Sequence, residues 1–179
     1  MTPFDLALSF VLLEETGGDP DGGYNDRSSD RGGPTKYGIS QRAHPKLDIK
    51  NLTREHALEI YRAEYWMPAK CDSLPAAVAV AQFDFAFNSG EDTASKHLQR
   101  MVGAFPDGDL GPKTLAALQS FMGGRGASTT AVQFIVARGR YLSNLVDEPE
   151  KPRERQNLKN IEGWVVRLIR LTAYVTQIN

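Results

Sequence analysis

The chain has 179 residues, of which 41% are hydrophobic and 24% are charged, and its formal net charge is -1. These proportions are ordinary for a globular domain, and the weak net charge excludes a strong overall attraction to nucleic acid or to a membrane. The single cysteine, Cys71, excludes an intrachain disulfide and suits synthesis in a reducing cytoplasm. Cysteines and histidines are too few and too scattered to predict a metal site, so we expect no metal and no organic cofactor.

The first predicted element is a helix over residues 2–15, where apolar side chains recur at helical spacing. Its apolar part is too short to span a membrane, and no export signal is evident. A loop rich in Gly and Asp follows to about residue 36, and residues 37–40 predict a short extended segment. Ser40 can cap a brief helix, which must end near His44 because a proline comes next.

Two helices are predicted in the middle of the chain. Thr53 is a suitable N-cap for a helix over residues 54–66. Residues 75–90 begin with a proline, end with a glycine and are apolar on nearly every side of a helix. Such a helix is expected to lie at the centre of the fold.

The second half of the chain is also predicted to be helical, in these ranges: 93–103, 112–121, 129–146 and 157–176. Asp92 is the expected cap of the first of them, and residues 147–155 predict a charged linker. The apolar face of the last helix is expected to point inward: Trp164, Val165, Leu168, Ile169 and Leu171. Because strand signals are few, the predicted fold class is mainly α.

Basic residues are concentrated in this half, and we expect them mainly on solvated helix faces. They are Arg138, Arg140, Arg153, Arg155, Lys159, Arg167 and Arg170.

Two acids at the end of the first helix are the best candidates for chemistry. Glu15 follows Leu8, Val11 and Leu12 at helical spacing, which places it on an apolar stripe. An acid there is costly to ionise and is suited to hold and donate a proton. Periodicity alone does not choose between Glu15 and Glu14, and a solvent-facing acid is the commoner role at a helix end. Carboxylates in the following loop can stay charged, and glycosidic bond cleavage needs two acids in such contrasting environments.

Several segments resemble the glycoside hydrolase family 108 lysozyme-like muramidases. They are FDLALSFVLLEE (residues 4–15), GGYNDRSSDRGGPTKYGIS (22–40) and IYRAEYWMPAKCDSLPAAVAVAQFDFAFNSG (60–90). The segments HLQRMVGAFPDGDLGPKTLAAL (97–118), RGRYLSNL (138–145) and NLKNIEGWVVRLIRL (157–171) look like the predicted peptidoglycan-binding region that usually follows. The resemblance implies a lysozyme-like catalytic region at residues 1–93 and a helical peptidoglycan-binding-like region at residues 94–179, packed as one compact unit.

The resemblance also implies a catalytic Glu, which in the family commonly stands directly before Gly-Gly-Tyr. Here Asp21 stands there, whereas counting along the first helix aligns Glu15 with the family's Glu, so residues 16–21 form an insertion. We therefore assign the acid to Glu15. Asp30 matches the family's last loop Asp and is the candidate second carboxylate, and Thr35 stands where a hydroxyl can hold a water.

Three further residues are candidates for substrate binding. Trp66 comes late in its helix, where its indole can form a groove wall and pack on a sugar. Tyr37 belongs either to the site or to the core. Asn88 lies four residues after Asp84 on the central helix, hence on the same face, and buried polar groups there need partners. Either the two form a structural pair, or Asn88 points into the cleft and binds an N-acetyl group.

Together these residues and the resemblance imply an N-acetylmuramidase. It would hydrolyse the β-1,4 bond between N-acetylmuramic acid and N-acetylglucosamine in peptidoglycan and lyse bacterial cells. As a phage endolysin it would be made in the host cytoplasm, be released by a holin and act as a monomer, without nucleic acid or membrane partners. Two alternatives stay open: a lytic transglycosylase, which needs only one acid, and a non-catalytic peptidoglycan-binding module.

Overall fold

The computed structural model describes residues 1–19, 21–26, 33–146 and 157–178. The elements are α1 (Pro3–Thr16), β1 (Thr35–Lys36), β2 (Ile39–Ser40), α2 (Arg54–Tyr61), α3 (Ala76–Ser89), α4 (Glu91–Val102), α5 (Pro112–Met122), α6 (Ala127–Asn144) and α7 (Ile161–Val175). The predicted mainly α fold is confirmed. Within the described ranges, no helix combines the length and the apolar character that crossing a bilayer requires.

Helix α1 has well-defined ends, and these place its two acids. The Thr2 hydroxyl accepts a hydrogen bond from the Asp5 N–H, and the Asp5 carboxylate accepts one from the Thr2 N–H, forming a capping box. The helix stops after Thr16 because Gly17 adopts the left-handed conformation, with φ of 63°. Glu14 and Glu15 therefore lie in the last turn.

The extended segment predicted at residues 37–40 is a small hairpin instead. Strands β1 and β2 pair antiparallel, and the turn between them consists of Tyr37 and Gly38, with φ of 53° and 72°. Positive φ at both residues suits the twist of a two-residue hairpin turn. The brief helix predicted after Ser40 does not form. The Ser40 hydroxyl accepts a hydrogen bond from the Ala43 N–H within a turn, and no helical segment follows before Pro45.

Helix α2 begins where the sequence predicts. The Thr53 hydroxyl caps it by accepting a hydrogen bond from the His56 N–H at 3.2 Å. The helix does not run on to residue 66 as a regular α-helix, because residues Arg62–Trp66 form a π-helical turn. This turn changes the direction in which Trp66 points.

Helix α3 is the centre of the fold, as its apolar sequence predicts. Ten consecutive residues, from Ala77 to Ala86, are buried, and the helix packs against α1, α4, α6 and α7. Helix α4 follows directly, with Gly90 at its N-terminus. Asp92 is therefore not its cap: it lies in the first turn and forms an ion pair with Lys96 at 2.8 Å.

Helix α7 faces the core with part of the predicted set, since Trp164 and Leu168 are half-buried and Leu168 packs against the core. Leu171 is buried, but Val165 is exposed and Ile169 is 63% exposed. The reason is that α7 turns Arg167 towards α1 and α3. Val165 and Ile169 each lie two positions from Arg167. Residues at that spacing do not share a helix face, so these two side chains point outward.

Candidate active site

Glu15 lies in the last turn of α1, and its side chain is 23% exposed. The Arg167 guanidinium donates from Nη1 to Glu15 Oε1 at 2.7 Å. On another side the hairpin turn approaches closely, since a Cβ on Gly38 would lie 3.0 Å from Glu15 Cγ and 3.1 Å from the Tyr61 hydroxyl. A glycine with positive φ is therefore required at this position both for the turn and for the space around the acid.

Tyr61 fastens the hairpin turn to α2 beside Glu15. Its hydroxyl donates to the Tyr37 carbonyl oxygen at 2.6 Å and is buried. Burial and then the charge of Glu15 raise the pKa of the Tyr61 phenol well above its ordinary value. The phenol therefore keeps its proton and remains a hydrogen-bond donor to the turn.

Arg167 also binds a second carboxylate, that of the fully buried Asp84 on α3. Its Nε and Nη2 donate to Asp84 Oδ1 at 2.9 Å and 2.7 Å, while Arg138 on α6 donates from Nη1 to Asp84 Oδ2. Glu15, Arg167, Asp84 and Arg138 thus form one chain of ion pairs, which we call the ion-pair network. It joins α1, α3, α6 and α7.

The charges in this network explain why the buried members remain ionised. Burial alone would raise the pKa of Asp84, but Arg138 and Arg167 outweigh it and hold that pKa below its ordinary value. For Arg167 burial acts to lower the pKa, whereas Asp84 and Glu15 together raise it above its usual range. Arg167 is therefore a permanent cation, and Asp84 fixes its position next to Glu15.

The neighbouring acid, Glu14, has a weaker setting. Its partner is Arg170, one turn further along α7, at 3.3 Å, and the Arg170 side chain is 62% exposed. The Arg167 side chain, by comparison, is 12% exposed. A solvated guanidinium holds a carboxylate loosely, because water screens the pair and the side chain keeps its freedom. The Glu14 side chain is 8% exposed, less than that of Glu15, but Glu15 has the shorter contact and the more buried arginine.

The expectation that the basic residues lie on solvated faces is wrong for Arg138 and Arg167, since both are withdrawn into the ion-pair network. The sequence did carry a signal for this. An aspartate within the apolar α3 sequence needs positive partners if it is buried. The sequence predicts that Asp84 needs a partner, but no local pattern identifies these two arginines, which lie far along the chain.

The second catalytic candidate, Asp30, lies outside the described residues, so its role stays a prediction. Thr35, the candidate for holding a water, lies in β1 and is half-buried. Its hydroxyl donates to the Gly33 carbonyl at 3.3 Å. The hydroxyl oxygen can still accept a hydrogen bond, so Thr35 is able to orient a water.

Tyr37 and Trp66, two of the candidates for sugar contact, are buried. The Tyr37 ring covers Gly22 so closely that a Cβ there would lie 2.5 Å from it. Trp66 is 1% exposed, packs edge-on against Phe4 and Phe83, and donates from its indole nitrogen to Asp72 at 2.7 Å. The predicted groove wall at Trp66 is therefore wrong, because the π-helical turn directs this side chain into the core.

Asn88 is exposed at the C-terminal end of α3. Its amide nitrogen donates to the Asp84 carbonyl oxygen at 2.8 Å, not to the carboxylate. The predicted side-chain pair does not form, since both Asp84 carboxylate oxygens are bound by arginines. The amide oxygen of Asn88 accepts no hydrogen bond from the described residues, and Asn88 is one of the residues that line a polar cavity.

The geometry gives a carboxylate in a fixed position, and comparisons with known proteins identify the class of protein to which it belongs. The family model for glycosyl hydrolase 108 matches residues 17–90, and that for a predicted peptidoglycan domain matches residues 93–169. The solved structure described as "Structure of Brucella abortus SagA" is similar to this chain with a TM-score of 0.74 and 31% identity, over 98% of this chain and 94% of that one. No curated protein matches the chain.

The chain therefore belongs to the glycosyl hydrolase 108 family and is a glycoside hydrolase that acts on peptidoglycan. The matched ranges add a point about the site. The first match begins at Gly17, just after Glu15, whereas both arginines of the ion-pair network lie within the second match. The region that matches the peptidoglycan domain thus supplies Arg167, which binds the candidate acid, and Arg138, which shares Asp84 with it.

Proposed function

We propose that this protein is an N-acetylmuramidase that hydrolyses the β-1,4 bond between N-acetylmuramic acid and N-acetylglucosamine, with Glu15 as its general acid. The observation that carries the proposal is the contact between Arg167 Nη1 and Glu15 Oε1 at 2.7 Å, made in a chain of the glycosyl hydrolase 108 family. A positioned carboxylic acid is what protonation of a glycosidic oxygen requires.

The two oxygens of Glu15 have different surroundings, and this suggests how the acid acts. Oε1 is bound by Arg167, while Oε2 accepts no hydrogen bond from the described residues. A proton on Oε2 would leave the contact to Arg167 intact. In our proposal Oε2 carries the proton and gives it to the leaving oxygen, and Arg167 then stabilises the carboxylate that remains.

Cleavage builds positive charge on the sugar ring. A second carboxylate would either stabilise this charge directly or activate a water that attacks the ring. We propose Asp30 for this role, on the basis of its match to the family's loop Asp. Thr35 is compatible with this role, since its half-buried hydroxyl oxygen is able to accept a hydrogen bond from a water. Such a water between the two acids would favour an inverting course, with the carboxyl groups about 6.5–9.5 Å apart.

Product analysis tests the reaction. Purified peptidoglycan is digested, and mass spectrometry of the fragments distinguishes the outcomes. A hydrolase yields reducing N-acetylmuramic acid ends, whereas a transglycosylase yields 1,6-anhydro ends. Reducing N-acetylglucosamine ends would show that the other glycosidic bond is cut, and intact strands would leave only a binding role.

The biological setting belongs to the same proposal. We propose a phage endolysin, made in the host cytoplasm, released by a holin and active as a monomer. A single cysteine suits a reducing compartment, and Cys71 is buried. A turbidity assay on host cells tests this: added protein should lyse cells whose outer barrier is opened, and expressed protein should lyse intact cells only with a holin.

A further inference from the structure

A second feature lies beside the ion-pair network, at the ends of α3 and α6 and the start of α7. It is a cavity of about 380 Å³ whose lining is mostly polar, and we call it the polar cavity. Its volume falls in the range of small-molecule sites, about 300–1,000 Å³. The lining residues are Asn88, Ser89, Arg138, Tyr141, Leu142, Leu145, Asn157 and Trp164.

The polar cavity and the ion-pair network share their helices. Asn88 lies four residues after Asp84 on α3, and Trp164 lies three residues before Arg167 on α7. Residues at these spacings are neighbours on one helix face, about one turn apart. Arg138 belongs to both, because it binds Asp84 and also lines the polar cavity. A ligand in the cavity therefore lies about one helical turn from Asp84 along α3 and from Arg167 along α7.

The chemistry of the lining favours a polar, negatively charged ligand. Its described lining offers two amides, two hydroxyls and one guanidinium, and none of these described residues carries a carboxylate. The Arg138 guanidinium is paired with Asp84 through Nη1, and its Nε has no hydrogen-bond partner in the described part of the chain. The Trp164 ring adds an apolar surface, on which a methyl group or an aliphatic stem can pack.

The shape of the cavity favours a side branch over the main polymer. A glycan strand needs an open groove that continues in both directions, whereas this cavity is walled by three helices. In peptidoglycan the branches are peptides, which carry carboxylates and small methyl side chains and start from the lactyl group of each N-acetylmuramic acid. On the basis of the proposed function, we propose that the polar cavity binds the peptide branch of the N-acetylmuramic acid unit next to the scissile bond.

Binding measurements test this without requiring hydrolysis. Glu15→Gln protein is titrated calorimetrically with an N-acetylglucosaminyl-N-acetylmuramoyl tetrapeptide and with the same disaccharide lacking the peptide. The tetrapeptide form should bind at least about 10-fold more tightly, since one hydrogen bond to a charged group contributes about 1.5–3 kcal/mol. Equal affinity for the two compounds, or no binding of either, would overturn the proposal.

Variants locate the peptide site. Asn88→Asp adds a negative charge to the cavity, and Trp164→Ala removes its apolar wall, so either change should bring the ratio of the two affinities close to one. Asn160→Asp is the matched control, because it adds the same charge at an exposed residue outside the lining. A ratio that stays high in both cavity variants would place the peptide elsewhere. A fall in both affinities at a constant ratio would show that the cavity binds the sugar or its N-acetyl group instead.

Hydrolysis rates separate failure of this inference from failure of the proposed function. Glycan strands with their peptides, and strands stripped by an amidase, are digested with the wild-type protein, and reducing ends are counted. Cleavage of both at equal rates leaves the muramidase function standing and overturns the cavity's role. Absence of cleavage refutes the proposed function, and the binding ratio still decides the ligand of the cavity.

Discussion

Replacing Arg167 tests whether the ion-pair network both stabilises the fold and positions Glu15. Arg167→Met keeps a long side chain but removes every hydrogen bond that the guanidinium makes to Asp84 and Glu15. Among the described residues, Asp84 then keeps Arg138 as the one cation paired with its fully buried charge. Removing one partner of a buried ion pair costs about 3–5 kcal/mol, and the remaining arginine puts the expected loss near the lower value.

The matched control is Arg170→Met, on the same helix and also paired with an acid of α1. Arg170 is 62% exposed and its partner Glu14 is 8% exposed, so the pair is partly solvated and should contribute about 1 kcal/mol, the upper end for exposed pairs. For a chain of this length, 1 kcal/mol shifts Tm by about 2–4 °C. We therefore expect Tm to fall by roughly 6–12 °C in Arg167→Met and by less than about 4 °C in Arg170→Met.

Activity is measured on purified peptidoglycan at a temperature where both variants are folded. If Arg167 holds the acid in place, its loss should lower kcat by about 100-fold, the scale expected when a catalytic group shifts by about 1 Å. Arg167→Lys should recover part of the activity, because it keeps the charge but not the planar fork that spans two carboxylates. Equal Tm and equal kcat in Arg167→Met and Arg170→Met would refute the reasoning. A large Tm loss with normal kcat would leave Arg167 a purely structural residue.

Four further outcomes are expected. Glu15→Gln should fold normally and lose lysis by more than about 100-fold, because the proton donor is gone; full lysis by this variant, with none by Glu14→Gln, would move the acid by one residue. Since the pKa of Asp84 is lowered in the folded protein, its stabilising contribution is present above about pH 4 and is lost as pH falls further; urea unfolding at pH 7 and pH 3 should show a smaller difference for Asp84→Asn than for the wild type. Asp30→Ala should lower hydrolysis strongly, and near-normal turnover would exclude Asp30 from the mechanism. Burial raises the pKa of the Cys71 thiol, so a thiol reagent should react with it only as the protein unfolds, and rapid labelling of the native protein would contradict its burial.

Local features of the fold were predictable from the sequence because short-range chemistry decides them. The Thr53 cap depends on residues only three positions apart, and it forms as predicted. The position of Glu15 in the last turn of α1 follows in the same way from helical spacing and the glycine at residue 17. The central position of α3 follows from its apolar composition, since such a helix has no face that suits water.

Tertiary structure decided the environment of the site, because its partners are distant in sequence. Arg167 contacts Glu15 across 152 positions and Asp84 across 83, and no local pattern distinguishes it from Arg170, which remains exposed. Trp66 shows the same limit, since a π-helical turn directs it into the core instead of onto a groove wall. Sequence periodicity determines which residues share a helix face. How each helix face is rotated towards its neighbours depends on the whole packed core. Here the buried Asp84 needs positive partners, and the orientation of α7 that provides Arg167 to Asp84 also brings it to Glu15.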